Sequence, residues 1–532
     1  MLDDVSTLPI DLGIEENLKH FLLVLAVALS VAALPQMLGQ VRRLPYTLVL
    51  VLVGLALAFV DIRLVNLSPD LILLIFLPPL LFEASWNMRW KDLQRNLFLI
   101  VLLATIGIVI PIAGIAIGLN HFAGLSLGIA LLIGASLSAT DPVSVTALFR
   151  ELGVNVRLST ITEGESLFND GMAVVAFGLF LGLQTGGTEL SVPSVVLKLV
   201  TVLGIGIAVG CGIGFGISYL TQRFDLPLVE QSLTLVATYA AYLVTEDLGG
   251  SGVIGVVSVG LILGNYGSRI GMNPRTRLSV SEFWEFLAFF INSILFLLVG
   301  DQVQFDQLIE NAGLIGITVV AMLVTRAIAV YLLCNASNWL NPDKLNAIPS
   351  AEQTVLWWGG VRGTVTIALA LSLPATLPGR DQIIATVFGV VLFTLLVQGL
   401  SIAPLLDLLN LLGDQPLKQR YSELAARQAA LSRVLAHLKA DEHPDIEPEY
   451  YRYQEALIGG EIEQIQTEIE TLKNEHPNIR DYIREQLREE LLAIEAKTYA
   501  ELVQLGRLKQ DLALMLEEVL PNSKDDKIRT ES

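Results

Sequence analysis

Long apolar runs alternate with short polar stretches along most of this chain, and their lengths predict helices that cross a bilayer. Thirteen such segments lie near residues 18–35, 44–60, 69–86, 96–118, 125–149, 163–185, 193–220, 228–246, 252–265, 281–300, 306–335, 350–373 and 380–409. A hydrocarbon core ~30 Å thick takes ~20 apolar residues in a helix, which few buried helices of soluble proteins sustain. The ninth segment is short and glycine-rich, so a count of twelve is the alternative. Two segments are broken by polar or helix-disrupting residues, the fifth at Ala139-Thr140-Asp141-Pro142 and the twelfth at Gly359-Gly360-Val361-Arg362-Gly363-Thr364. Beyond Pro404 the pattern changes to Glu, Leu, Ala, Arg and Gln with apolar residues at helical spacing, such as Leu431, Val434, Leu435 and Leu438, and later Leu487, Leu491, Leu492 and Ile494. Pro444, Pro448, Pro477 and Pro521 divide that tail into several helices. The expected fold is an all-α polytopic membrane protein of about thirteen spans, with a membrane domain over 1–410 and a helical, acidic tail over 411–532.

Composition agrees with this and excludes an ordinary soluble enzyme. The chain has 532 residues, 53% hydrophobic and 16% charged, with a net charge of −19 and a mean hydropathy of +0.60. Basic residues are unevenly placed. Arg42, Arg43, Arg89, Lys91, Arg95, Arg150, Arg157, Arg223, Arg269, Arg275, Arg277 and Lys344 fall on alternate connections, and the other set holds only Arg63 and Arg380. Positive charge favours the cytoplasmic side, which predicts a cytoplasmic tail, an outside N-terminus and an odd number of spans in a cell membrane. No basic n-region precedes the first apolar run, so that run is expected to be retained as a helix. Cys211 and Cys334 both sit in apolar stretches and read as packing residues. No basic patch points to nucleic acid.

The two breaks are where chemistry is expected. They lie seven places apart in span order, so the two helices run oppositely through the bilayer, as inverted repeats with a midplane site require. Pro142 lacks an N–H and crowds the Ser138 carbonyl, which loses its helical partner. A freed carbonyl in hydrocarbon needs a substitute, and a dehydrated cation is one candidate. Locally, Asp141 also reads as an N-cap. In the sixth span, Glu163, Ser166 and Asp170 share one helix face, and Glu165 and Asn169 share the adjoining one. Acids inside a span are costly unless paired or hydrated, and so point to function. Asp170 lies inside the span and fits a helix cap poorly, whereas Glu163 reads as a helix-start residue. Burial disfavours a charged carboxylate, so Asp170 should take either a proton or a hard cation. Arg362 needs a buried anion, with Glu165, Asp141 and Asp170 as candidates. Arg326 reads as a helix-end snorkel or a structural partner. Glu83, after Leu77-Pro78-Pro79, is either interfacial or at the entrance to an ion site.

Together, Thr140-Asp141-Pro142, Glu163 through Gly171, Leu77-Pro78-Pro79 through Glu83, and Gly359 through Gly363 resemble the cation:proton antiporter family of the NhaP/NHE type, in order and over nearly the whole membrane region. The resemblance implies a homodimer that exchanges Na⁺ for H⁺ without a cofactor and serves pH homeostasis and salt tolerance. It implies a moving core from spans over 96–185 and 306–409, and a dimerisation scaffold over 18–86 and 193–300. Asp170 would be the principal ion site and would bind Na⁺ with Asp141, assisted by Thr140, Ser166 and Glu83. Glu165 and Arg362 would form a structural ion pair. In the electrogenic branch a second aspartate usually precedes the essential one. Here that position is Asn169, which implies one Na⁺ for one H⁺.

Rival functions fit less well. A K⁺/H⁺ or Ca²⁺/H⁺ exchanger uses the same oxygen ligands, as does exchange of Li⁺, and composition does not separate these cargoes. A channel would show a pore or filter, commonly built from several subunits. Gly164-Glu165-Ser166-Leu167-Phe168 lacks the closing glycine of a nucleophile elbow, and no His lies in the membrane core to act as its base, so an enzyme is not expected.

Overall fold

The computed structural model describes residues 22–33, 45–60, 68–184, 192–221, 226–268, 272, 274–340, 347–412, 415–440, 448–476 and 478–504. Among them there is helix and no strand. The helices are α1 (Leu22–Ala33), α2 (Tyr46–Phe59), α3 (Leu71–Asn87), α4 (Trp90–Ala123), α5 (Leu127–Ser136), α6 (Val143–Leu152) and α7 (Val156–Gln184). There follow α8 (Val192–Thr221), α9 (Pro227–Asp247), α10 (Gly252–Gly267), α11 (Pro274–Asp301), α12 (Phe305–Glu310) and α13 (Ala312–Leu340). The membrane region closes with α14 (Ser350–Trp358), α15 (Thr364–Leu371) and α16 (Arg380–Leu408). Over the described residues, the two predicted interruptions divide α5 from α6 and α14 from α15, and the eleventh predicted segment, 306–335, falls on two helices, α12 and α13, instead of one. Among the described residues, six helices are individually long and apolar enough to cross a membrane.

Some helices, α4 and α7 among them, outrun the apolar segments that predicted them. Residue Val156 begins α7, so Glu163 lies two turns inside the helix and is not a helix-start residue. Likewise Lys91 and Arg95 belong to α4. A helix can carry polar turns past the hydrocarbon boundary, where backbone bonds remain inside the segment and side chains reach water. Arg42, Arg43, Arg63, Arg223, Arg269 and Lys344, the N-terminal stretch, and Pro444, Pro477 and Pro521 lie outside the described residues.

Local signals explain the boundaries. Ser126 and Ser251 cap α5 and α10 through the backbone N–H groups of Ile129 and Ile254. Gly124, at φ 68°, ends α4 in the left-handed region. The double proline of α3 cannot donate to the turn before it, which widens into a π turn over Leu71–Phe76. Pro79 frees the Ile75 carbonyl, and the Tyr239 hydroxyl of α9 donates to it at 2.9 Å.

Packing divides the chain into two compact units, one comprising Met1–Arg150 with Val154–Leu411 and the other chiefly Leu412–Ser532. Within the first, α4 packs most extensively against α13, α7 and α5, whereas α2 packs with α11 and α10 packs with α8, α3 and α9. In the second, which holds α17 (Gln415–Ala440), α18 (Pro448–Glu475) and α19 (Asn478–Gln504), Leu424 of α17 and Ile465 and Ile469 of α18 form a small core. Ion pairs Arg420–Glu468 (2.6 Å) and Lys439–Glu455 (2.9 Å) tie α17 to α18.

Candidate functional site

The two interruptions meet. Between α5 and α6 the chain loses its helical bonds after Ser138 and regains them at Val143. Asp141 Oδ1 accepts the Val143 N–H at 2.9 Å, the cap its sequence position suggested. The Asp141 N–H donates across to the Val361 carbonyl at 2.8 Å, inside the other interruption. The Ser138 carbonyl freed by Pro142 is not left for a cation, because Arg362 Nη1 donates to it at 3.2 Å and to the Ala139 carbonyl at 3.1 Å. Thr366 Oγ1 adds a bond to Ala139 at 3.3 Å. A guanidinium answers two carbonyls at once and brings a fixed positive charge, which no passing ion can supply permanently. Gly363 lets the backbones come this close, since a Cβ there would overlap the Asp141 carboxylate.

The α7 face completes the arrangement. Ser166 Oγ donates to the Thr140 carbonyl, and Asn169 Nδ2 donates to Thr140 Oγ1 at 3.1 Å. Asp170 is 7% exposed, and its Oδ1 has no hydrogen-bond partner, as is also true of Asn169 Oδ1. Thr140, Asp141, Ser166, Asn169 and Asp170 are thus drawn together where backbone and side-chain oxygens converge. Glu163 forms a 2.9 Å ion pair with Arg150 of α6.

The expected Glu165–Arg362 ion pair is not formed. Glu165 pairs instead with Arg326 of α13, at 2.9 Å between Oε1 and Nη1 and 3.4 Å between Oε2 and Nη2. Both side chains are buried. The same guanidinium donates to the Leu356 carbonyl at 3.0 Å and the Trp357 carbonyl at 3.2 Å. These lie at the C-terminal end of α14, where carbonyls lack helical partners and the helix dipole favours a cation. Gly360 clears the space, because a Cβ there would collide with that guanidinium. Arg326 therefore answers a carboxylate and a helix end together, while Arg362 is committed to the other break. The signal for Arg326 was present in the sequence: a lone arginine deep in an apolar run with no acid on its own helix.

Glu83 lies on α3, and its hydrogen bond is made within that helix. Its carboxylate accepts from Asn87 Nδ2 at 2.6 Å. Arg150, Glu163 and Glu285 are the charged groups that act on it.

Chemically, the cluster offers hard oxygen donors around a buried carboxylate with an unoccupied lone-pair direction. Ser166 and Thr140 keep hydroxyl lone pairs beyond the bonds they make. That donor set fits an alkali cation or a proton as cargo better than a soft metal, which would call for thiolate or imidazole.

Comparison with known proteins agrees with this chemistry. Residues 24–408 match the family model described as sodium/hydrogen exchanger, transmembrane. A Na⁺/H⁺ antiporter of Aphanothece halophytica, ApNhaP, is 59% identical over 96% of this chain and 97% of its own. The low-affinity Na⁺/H⁺ antiporter NhaS1 of Synechocystis is 54% identical over 95% of this chain and 96% of its own. Among solved structures, the sodium proton antiporter MjNhaP1 of Methanocaldococcus jannaschii at pH 8 aligns with a TM-score of 0.59 and 21% identity, over 74% of this chain and 99% of that one, a likeness of fold.

Proposed function

The chain belongs to the sodium/hydrogen exchanger family, and from that premise we propose that it is a secondary antiporter exchanging one Na⁺ for one H⁺ at Asp170. The observation that carries this reading is the buried Asp170 carboxylate, with its unpartnered Oδ1, beside the broken backbone at Thr140 and Asp141. Na⁺ would be held by Asp170 and Asp141 with oxygens of Ser166 and Thr140. Glu83 of α3 would assist from the entrance to the site. A proton and Na⁺ compete for one carboxylate, so the site crosses the membrane loaded with either but not with both. This is exchange by a multi-pass membrane protein, and it needs no covalent chemistry.

Electroneutrality follows from Asn169. With one titrating carboxylate, the charge carried by the moving site is the same in both directions, and the membrane potential does no net work. An extra charge moved per cycle would be worth about 2.3 kcal/mol per 100 mV. Helices α4–α7 and α12–α16 would form the moving core, and α1–α3 with α8–α11 a homodimeric scaffold. The tail would face the cytoplasm of a cell membrane.

Proteoliposomes with an imposed pH gradient test the proposal. Addition of Na⁺ should dissipate the gradient without generating a potential, and Li⁺, K⁺ and Ca²⁺ tried in turn define the cargo. Asp170→Asn should abolish the signal at unchanged thermal stability. Full exchange by that variant would remove Asp170 from the site, and single-channel currents from the parent would replace exchange by conduction.

A further inference from the structure

The second interruption is held by one face of the last membrane helix. α16 contains a π turn over Thr394–Gln398, in which the Gly399 N–H reaches back to the Thr394 carbonyl. Three side chains follow at spacings of four and three residues: Thr394, Gln398 and Ser401. Thr394 Oγ1 accepts the Arg362 N–H at 3.0 Å. Gln398 Nε2 donates to the Trp358 carbonyl at 2.9 Å. Ser401 Oγ accepts from the Trp358 indole Nε1 at 2.7 Å. Thr394 is fully buried and Gln398 is 1% exposed, so water is a poor substitute for either.

These bonds reach the candidate ion site in two steps. The peptide joining Val361 to Arg362 donates its N–H to Thr394 and accepts the Asp141 N–H on its carbonyl. Its orientation is therefore set on one side by the Thr394 hydroxyl and spent on the other in placing Asp141. Arg362 continues from the same peptide to hold the Ser138 and Ala139 carbonyls. Irregular backbone at membrane depth survives only where protein groups satisfy it. π turns recur at functional sites because they re-aim side chains that a regular helix would misplace.

We propose that Thr394 and Gln398, presented by the π turn of α16, are positioning residues for the cation site: Thr394 fixes the peptide against which Asp141 is aligned, and Gln398 holds the Trp358 carbonyl at the start of the same break. This rests on the Asp141–Asp170 site proposed above. Neither residue touches the cation. Their effect should appear in how well the site binds Na⁺ against H⁺, since displacement of a ligand by about 1 Å can cost on the order of 100-fold in a preorganised site.

Exchange by the full-length protein in proteoliposomes tests this, with the apparent KM for Na⁺, the maximal rate and the pH profile measured separately. Thr394→Val keeps the shape and removes the hydroxyl. It should raise the KM at least about tenfold and displace the pH profile, with the maximal rate changed much less. Thr394→Ser should restore the parental KM and profile, and Gln398→Leu should shift the KM in the same direction as Thr394→Val. Parental KM and pH profile in Thr394→Val or Gln398→Leu would overturn the proposal. So would loss of folded protein in both, which would assign these residues to assembly alone. Asp170→Asn is run beside them: if it still exchanges, the site reading falls, whereas an inactive Asp170→Asn with unaltered α16 variants removes only the positioning role.

Discussion

The two interruptions solve the same problem with different residues. In the first, between α5 and α6, the break is made by Pro142 and populated by Thr140, whose oxygens accept from Ser166 and Asn169, and by Asp141, whose carboxylate accepts the Val143 N–H. In the second, between α14 and α15, glycines make the break and no acid lies within it. Its exposed groups are answered from outside, by Arg326 from α13 and by Thr394 and Gln398 from α16. One break displays chemistry and the other supplies the frame against which that chemistry is aligned. Two breaks with similar positions in their halves need not share a function; what each contributes depends on which side chains its neighbours aim at it.

That contrast can be broken experimentally. The largest effect is expected from Arg326→Ala, which strands Glu165 as a buried unpaired charge and uncovers the end of α14. It should cost about 3–5 kcal/mol and show as a lowered melting temperature of purified protein, with Glu165→Gln restoring part of the loss in the double variant. Asp170→Asn should do the opposite, leaving melting unchanged and removing exchange. Next comes Gly363→Ala, whose Cβ must push Asp141 aside. A strain of about 1–3 kcal/mol is expected, with a weaker apparent affinity for Na⁺ at a largely intact fold. Asn169→Asp is a subtler test. It exchanges an amide donor for a second carboxylate, and the Thr140 hydroxyl can turn to donate in its place. Exchange should persist but become sensitive to an imposed potential; insensitivity would remove Asn169 as the determinant of stoichiometry. The smallest effect is expected from Arg150→Gln, since its bond to Glu163 is largely exposed and such pairs contribute about 0–1 kcal/mol.

Much of this was legible in the chain itself, for reasons of solvent. A bilayer forces every backbone group to bond within its segment, so apolar length announces a helix and a proline or glycine cluster announces a break. The capping role of Asp141 and the shared helix face of Ser166 and Asp170 are local geometry, and both were readable. Two assignments failed. Glu163 looked like a helix start because its segment turns apolar there, but α7 begins at Val156 and carries its polar turns onward. The family resemblance implied Arg362 as the partner of Glu165, among three acids its residue environment left open, but Arg326 takes that place. Spacing cannot rank two arginines that reach one carboxylate from different helices.

The hydrophobic pattern of the sequence by itself determined the membrane class, the helical segments and the places where two of them break, and it singled out the acids proposed for the ion site. Bilayer thickness, the missing proline N–H and helical periodicity all act within a few residues of one another along the chain. The tertiary structure alone decided which arginine meets which anion, that the Ser138 carbonyl is held by Arg362, and that α16 steadies the second break. Those outcomes depend on directions and distances between helices far apart in sequence, where one guanidinium reaches two carbonyls and another reaches a carboxylate and a helix end.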